Sequence, residues 1–156
     1  MGLGIAVAFG VRLMLVLLFL PFSALDKILN FRGAVAQARQ AVPSNAVATI
    51  LIVAGVFVEV VMSSAILAGI SDRAAAFILS SYCVATALLW KQFWRPGDFW
   101  SHPGGQARGL FWDFWKNVAL AGGFLLMTFG VTAQSAREAF THPFASTHPY
   151  RLEGSS

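Results

Sequence analysis

The chain has 156 residues, of which 57% are hydrophobic and 12% are charged. Soluble domains carry about 25% charged residues. We therefore predict an integral membrane protein rather than a soluble one. Its net charge of +4 does not indicate nucleic-acid binding, because the basic residues lie near the ends of apolar segments, as the positive-inside rule expects. The single cysteine, Cys83, excludes an internal disulfide framework and a dithiol site.

The first apolar segment, residues 3–24, is predicted to be a retained membrane span. A cleaved signal peptide is not expected, because no Lys or Arg precedes the apolar run and no Ala-x-Ala-like site follows it. Pro21 predicts a kink near the end of the span, since proline cannot donate a backbone hydrogen bond. Four side chains fall on one helical stripe that should face protein or water rather than lipid. They are Arg12, Phe19, Ser23 and Lys27.

Residues 26–45 mix apolar and basic positions, so we predict a short helix in the membrane interface between spans 1 and 2. Pro43 and Ser44 then supply a break and a helix cap before the second span, residues 46–70. This span is long enough to cross the ~30 Å hydrocarbon core. Its only ionisable group is Glu59, near its middle. A carboxylate at that depth requires a partner or a proton.

The third span, residues 74–90, follows a tight connection and carries small polar side chains that can bond across helices. A second long loop, residues 91–111, leads to the fourth span, residues 112–132. Small residues, including Gly122 and Gly123, give the fourth span a smooth face suited to close packing or to a homo-oligomer.

The predicted fold is therefore an all-α membrane protein, a bundle of four transmembrane helices forming one domain of residues 1–133. A polar, mobile tail follows in residues 134–156, and residues 152–156 are interpreted as a remnant of cloning. Both long loops lie on one side, with seven basic residues against three on the other, so we predict a bacterial inner membrane protein with cytoplasmic loops and external termini. The seven are Lys27, Arg32, Arg39, Lys91, Arg95, Arg108 and Lys116, and the three are Arg73, Arg137 and Arg151.

Membrane depth suggests a partner for Glu59. If the first two spans are centred near Met14 and Val58, Arg12 lies about 3 Å and Glu59 about 1.5 Å from the midplane, both toward the side of the termini. Arg12 and Glu59 are therefore predicted to pair. Two interpretations stay open, a structural ion pair that fixes helix register and a proton or quinone site in which Glu59 with Arg12 is the catalytic candidate.

All five tryptophans fall between residues 90 and 115 and should crowd at one membrane interface. One interpretation is an aromatic belt at the level of the lipid headgroups. The other is a flat aromatic vestibule for a quinone or a lipid head, flanked by Lys91 and Lys116. The tryptophans are Trp90, Trp94, Trp100, Trp112 and Trp115.

Neither a metal site nor an intrinsic cofactor is predicted. Each of the three histidines precedes a proline, but His102 falls across the membrane from His142 and His148, so the three cannot converge in one protomer. At most the last two form a weak site in the tail. No histidine lies within a span, which excludes a bis-histidine haem.

The order of these features resembles the DoxX family of small four-span membrane proteins over about residues 5–133. The sequence departs from the usual family pattern in Ser23–Ala24 and Ser63–Ser64, where family members have glycine nearby, and in its tryptophan-rich third loop. The matching positions are Arg12, Phe19, Lys27, Pro43, Glu59, Gly69, Arg73, Lys116, Asn117, Gly122 and Gly123.

The resemblance implies an association with membrane redox chemistry, since relatives include a subunit of thiosulfate:quinone oxidoreductase. The first hypothesis is an integral membrane subunit or partner of a quinone-linked oxidoreductase system, with quinone as ligand and electrons from a soluble or membrane redox partner. Thiol-pair chemistry is disfavoured by the single cysteine. The alternative is a non-catalytic anchor or assembly module that docks a soluble partner through its basic loops. The candidate ligand-binding residues are Tyr82, Lys91, Trp94, Trp115, Lys116 and Asn117.

Overall fold

A computed structural model describes residues 2–151, which form helices joined by turns and loops, with no strand among them. The predicted all-α class is confirmed, whereas the interpretation of residues 152–156 falls outside the described residues. The elements are α1 (Leu3–Val16), a π-helical turn (Leu18–Ser23), α2 (Ala24–Leu29), α3 (Phe31–Ala38), α4 (Asn45–Ala68), α5 (Asp72–Trp90), α6 (Gln106–Phe129) and α7 (Ala133–Thr141).

The long helices pack around one core, with α4 against α5, α5 against α6, and α1 against both α4 and α6. The core contains two buried phenylalanines, Phe19 and Phe124, surrounded by aliphatic and small side chains. Ser80 Oγ donates a hydrogen bond of 3.1 Å to the carbonyl of Ala121, which is the cross-helix bond expected of a small polar residue in the third span.

Three helical segments are long and apolar enough to cross a membrane, Leu3–Leu29, Asn45–Ala68 and Asp72–Trp90. A fourth is reached if α6 and α7, which meet at a bend of 80°, are taken as one span. Large apolar side chains on the outer faces are exposed, including Met14 at 77% and Phe57 at 62%. Extended apolar surface of this kind is rare on soluble monomers, so the fold indicates an integral membrane protein.

The first span extends beyond its predicted end at residue 24 and continues through α2 to Leu29. Pro21 does not end the helix, because the chain widens into the π-helical turn, which accommodates the backbone bond that proline cannot make. Lys27 therefore lies within the span and not in the following loop. The predicted polar stripe faces the protein, since Arg12 and Phe19 are buried and the other two members bond to α4.

The connection between the first two spans contains the predicted short helix, α3, which packs Val35 and Ala38 against Ala48 of α4. Ser44 caps α4 as predicted, its Oγ accepting from the amide of Val47 at 3.5 Å. This packing ties the beginning of α4 to the chain that follows the first span.

The fourth span and the tail differ from the predictions. Helix α6 begins at Gln106, ahead of the predicted residue 112, because Asp98 Oδ1 accepts a hydrogen bond of 3.2 Å from the amide of Ala107 in its first turn. The tail, expected to be mobile, contains α7, and residues 146–150 then return to the ends of α4 and α5. We call residues 146–150 the strap.

Candidate functional site

Glu59 lies at the centre of a closed hydrogen-bonded network inside the bundle, with 1% of its side chain exposed. Its Oε1 accepts from Ser23 Oγ at 2.9 Å and from the Tyr82 hydroxyl at 3.0 Å, and it forms an ion pair with Lys27. The Lys27 ammonium also donates to Ser23 Oγ at 2.9 Å and to the Tyr82 hydroxyl at 3.0 Å. We call these four residues the Glu59 cluster.

Local sequence features place each member of the cluster. Ser23 and Lys27 stand four residues apart, so they share one face of the helix. Gly55, one turn before the carboxylate, makes room for the tyrosine, because a Cβ at that position would lie 3.0 Å from the Tyr82 hydroxyl oxygen. The ring of Phe19 packs edge-on against the Tyr82 ring with 6.4 Å between centroids. The cluster therefore joins the first span, α4 and α5 at one point.

The two carboxylate oxygens of Glu59 have different surroundings. Three donors reach Oε1, whereas Oε2 has no hydrogen-bond partner within residues 2–151. Ser63, one turn further along α4, is fully buried, and its hydroxyl also lacks a partner within that range. A buried polar group without a partner costs about 1–3 kcal/mol. Glu59 Oε2 and Ser63 Oγ are therefore two buried oxygens of α4 that could still form hydrogen bonds.

The cluster combines an anionic oxygen with two donors, Lys27 and Tyr82, whose hydrogens are engaged inside the network. The side chain of Lys27 is 19% exposed, whereas that of Glu59 is 1% exposed. A ligand carbonyl oxygen would receive an N–H or O–H from Lys27 or Tyr82 only by replacing one of their present acceptors, because the three ammonium hydrogens and the single phenol hydrogen are already donated. Among residues 2–151, no three His, Cys, Asp or Glu side chains converge as a metal site would require.

The predicted pair of Arg12 and Glu59 does not form. Arg12 instead pairs with Asp72, the first residue of α5, at 2.7 Å between the guanidinium and Oδ2, and it donates to the carbonyl of Ile66 at 2.8 Å. Both partners are buried, with 8% and 0% of their side chains exposed. The bundle thus contains two separate buried ion pairs instead of the single predicted one.

The register of the first span against α4 explains this correction. Placing both spans symmetrically about the midplane put residue 12 level with residue 59. In the structure the Arg12 guanidinium reaches the carbonyl of Ile66, and Ser23 Oγ reaches the carboxylate of Glu59. Ile66 lies seven residues beyond Glu59, about 10 Å along the helix. The first span is therefore displaced along α4 by almost two turns from the predicted alignment.

The strap completes the second ion pair. Thr147 donates its amide to Asp72 Oδ1 at 2.9 Å and its hydroxyl to Asp72 Oδ2 at 2.5 Å, and Arg12 lies 2.6 Å from the same hydroxyl. Ser146 Oγ donates to the carbonyl of Gly69 at 2.6 Å, and the hydroxyl of Tyr150 bonds to the carbonyl at the end of α4. The tail is thus held by a buried charge and by backbone oxygens of the helix ends.

Comparisons with protein-family models, with curated proteins and with solved structures find no match to this chain. The DoxX resemblance therefore stays a prediction drawn from the order and spacing of residues. The site must be interpreted from its own geometry.

The remaining ligand candidates lie at the end of the bundle where the long loops are. Lys91 and Lys116 both pair with Asp113, at 3.3 and 3.6 Å. Trp94 and Trp115 each pack against Phe114, with ring centroids 5.9 and 5.6 Å apart. This second cluster joins the loop of residues 91–105 to α6.

The two groups of candidates therefore do not form one site. Lys91 follows Tyr82 by nine residues, about 13 Å along the helix. Asn117 is half-buried on α6. Trp100 is 93% exposed, and Trp94, Trp112 and Trp115 are about half exposed, an arrangement that fits an aromatic belt.

Three residues of the buried network were missed as partners from sequence. Ser23 and Lys27 lie on the predicted inward stripe, but the charge count assigns Lys27 to the loop side, where it would not meet Glu59. Asp72 falls in the tight connection before residue 74, where the third span is predicted to begin. The predicted stripe does indicate an acidic partner for Lys27, since a lysine on an inward helix face requires an anion.

Proposed function

We propose that this chain is an integral membrane subunit of a quinone-linked oxidoreductase system, of the DoxX type, and that the Glu59 cluster is its quinone site. The observation that carries the proposal is the closed network of Lys27, Tyr82 and Glu59 inside apolar helices. Ionisable groups at this depth are costly, and they commonly mark ligand or proton sites.

The chemistry of quinone reduction fits these residues. A quinone takes up two electrons and two protons to become a quinol, so its site must offer hydrogen-bond donors to the carbonyl oxygens and a group that exchanges protons. Lys27 and Tyr82 become the donors when a quinone carbonyl replaces one of their present acceptors, and Glu59 is the proton-exchanging group. The single cysteine provides no dithiol, so the electrons come from a partner protein. The edge-on pair of Phe19 and Tyr82 supplies an aromatic wall for the ring.

The proposal is tested by the quinone content of the purified protein. The full chain is purified from its membrane in a mild detergent, and isoprenoid quinones are extracted and quantified per mole of protein. We expect bound quinone in the unaltered protein and a several-fold loss in Tyr82→Phe. The matched control is Ser81→Ala, an exposed neighbour whose hydroxyl bonds, within residues 2–151, only to the carbonyl of Phe77 in its own helix.

Two results contradict the proposal. One is the absence of quinone from unaltered protein, together with no redox response of its native membrane complex to added quinol. The other is a quinone content that Tyr82→Phe and Ser81→Ala leave equal.

In the bilayer we place four spans, with α6 as the fourth. We propose that α7, which meets α6 at a bend of 80°, lies along the membrane surface and that α3 lies at the opposite surface. Under this proposal the loop end faces the cytoplasm of a bacterial inner membrane. The excess of basic residues that favours this orientation is smaller than predicted, because Lys27 pairs inside the bundle.

A labelling experiment tests the orientation. In a Cys83→Ala background, a membrane-impermeant thiol reagent applied from outside should label Arg137→Cys but not Arg95→Cys. Labelling of Arg95→Cys but not of Arg137→Cys would show that the loop end lies outside.

A non-catalytic anchor is the second candidate, and one observation favours it. Both buried ion pairs are internally matched, so the bundle needs no ligand for charge balance. Arg32, Arg39 and Arg95 are exposed at the loop end and form no salt bridge within residues 2–151, which leaves them able to dock an acidic partner. In this case, substituting the three arginines abolishes co-purification of a soluble partner, whereas Tyr82→Phe changes nothing.

A further inference from the structure

Two arginines of the connection between the first two spans carry a charge that the protein does not balance locally. Arg32 and Arg39 are both exposed, and neither forms a salt bridge within residues 2–151. Residues 30–45 contain these two arginines and no acidic residue. The segment therefore presents positive charge to whatever surrounds the loop end of the bundle.

Helical spacing places the two arginines on one side of α3. Arg32 lies in the helix, and Arg39 follows it directly with helical backbone angles. The seven residues between them correspond to about two turns and about 10 Å along the axis. Val35 and Ala38 are buried against α4, so they mark the packed face, whereas both arginines are exposed. We call the exposed side of Arg32 and Arg39 the arginine flank.

The surroundings of α3 are those of a membrane interface. Where α3 packs on α4, Ala48 is buried, but its neighbours Val47 and Ile50 are 44% and 64% exposed. The ring of Trp90 packs against the same cluster, and tryptophan side chains concentrate at the level of lipid headgroups. An indole ring and exposed apolar side chains beside α3 therefore indicate that the arginine flank lies at headgroup level.

We infer that the arginine flank binds the phosphate of an anionic phospholipid, whose acyl chains lie along the exposed apolar side chains at the beginning of α4. A guanidinium group matches the geometry of phosphate oxygens and forms paired, charge-assisted hydrogen bonds with them. Basic residues close to an anionic membrane surface each add to the attraction. The inference requires neither the quinone site nor a particular orientation of the loop end.

An acidic soluble protein is the competing occupant, because it would dock to the same arginines in a non-catalytic anchor. The lipid is favoured by the apolar surface next to the flank. Val47 and Ile50 are exposed on a membrane-spanning helix, and an acyl chain covers them while its own headgroup meets the guanidinium groups. A soluble protein would satisfy the charge and leave that apolar surface uncovered.

Tryptophan fluorescence provides the test, because all five tryptophans fall between residues 90 and 115, at the loop end. The full chain is reconstituted into phosphatidylcholine vesicles that contain either dibrominated phosphatidylglycerol or dibrominated phosphatidylcholine, whose bromine atoms quench a tryptophan that they contact. We expect the association constant of the brominated phosphatidylglycerol to be several-fold greater. The difference should shrink at high salt, which screens exposed charges.

Paired substitutions locate the binding surface. Arg32→Gln/Arg39→Gln should remove most of the preference for phosphatidylglycerol, and Arg32→Lys/Arg39→Lys, which retains both charges, should restore it. The matched control is Arg137→Gln/Arg151→Gln, because it removes the same charge from two exposed arginines at the other end of the bundle. This control should keep the preference of the unaltered chain.

Three results overturn the inference. The first is equal quenching by the two brominated lipids, and the second is an equal preference in the two glutamine variants. The third is a soluble protein that native membranes lose with Arg32→Gln/Arg39→Gln while the vesicles show no lipid preference, which would assign the flank to protein docking. The vesicles contain no quinone, so this experiment fails separately from the proposed function.

Discussion

Asp72→Ala is expected to lower the free energy of unfolding by about 3–5 kcal/mol, the usual cost of leaving one partner of a buried ion pair alone. Arg12 would keep its charge with only the Ile66 carbonyl and Thr147 near it. The amide and hydroxyl of Thr147 would both lose their acceptor. The substitution therefore removes the anchor of the strap as well as the partner of Arg12.

Reversible unfolding of the purified protein in mixed micelles measures the change. Asp113→Ala is the matched control, because Asp113 also pairs with lysines but is 44% exposed. Exposed pairs contribute about 0–1 kcal/mol, so the control should have little effect. Hydrogen exchange of the strap amides adds a local measurement, and it should accelerate in Asp72→Ala alone. Equal losses of stability in the two variants, or a strap that stays protected, would show that Asp72 does not hold this end together.

The sequence predicted the helical elements more accurately than their contacts. Apolar runs and the Ser44 cap locate α4, because a long apolar segment in lipid satisfies its backbone hydrogen bonds by forming a helix, even with the single ionisable residue Glu59 in it. The inward stripe of Arg12 and Phe19 was also correct, since helical spacing alone determines which side chains share a face. These are local properties, and a single sequence contains them.

The partners of the buried charges depend on the register between helices, which the sequence does not contain. Centring each span on the membrane placed Arg12 opposite Glu59, but the extension of the first span through the π-helical turn and the packing of α3 on α4 displaced it. Arg12 then met Asp72. The strap illustrates the same limit, because its contacts join Thr147 to a residue 75 positions earlier.

Lys27 and Glu59 should show strong energetic coupling. Lys27→Met leaves a carboxylate that is 1% exposed without its cation, and we expect a loss of about 3–5 kcal/mol. Glu59→Gln leaves a lysine whose side chain is 19% exposed, so its ammonium can turn toward water, while glutamine still accepts from Ser23 and Tyr82. The loss should therefore be smaller. The unequal burial of the two partners therefore predicts unequal single-variant effects.

The double variant Lys27→Met/Glu59→Gln removes both charges and should recover most of the loss caused by Lys27→Met, with a coupling energy of roughly 0.5–3 kcal/mol. Unfolding in mixed micelles measures the cycle, and Lys116→Met/Asp113→Asn at the exposed pair provides the comparison. Simply additive losses at Lys27 and Glu59 would mean that the two charges do not depend on each other.

A stable double variant would also separate structure from function. It keeps the bundle while removing the groups proposed to bind a quinone and to exchange its protons. Loss of bound quinone from such a folded protein would assign the Glu59 cluster to ligand chemistry, because a purely structural ion pair can be replaced by neutral side chains without that consequence.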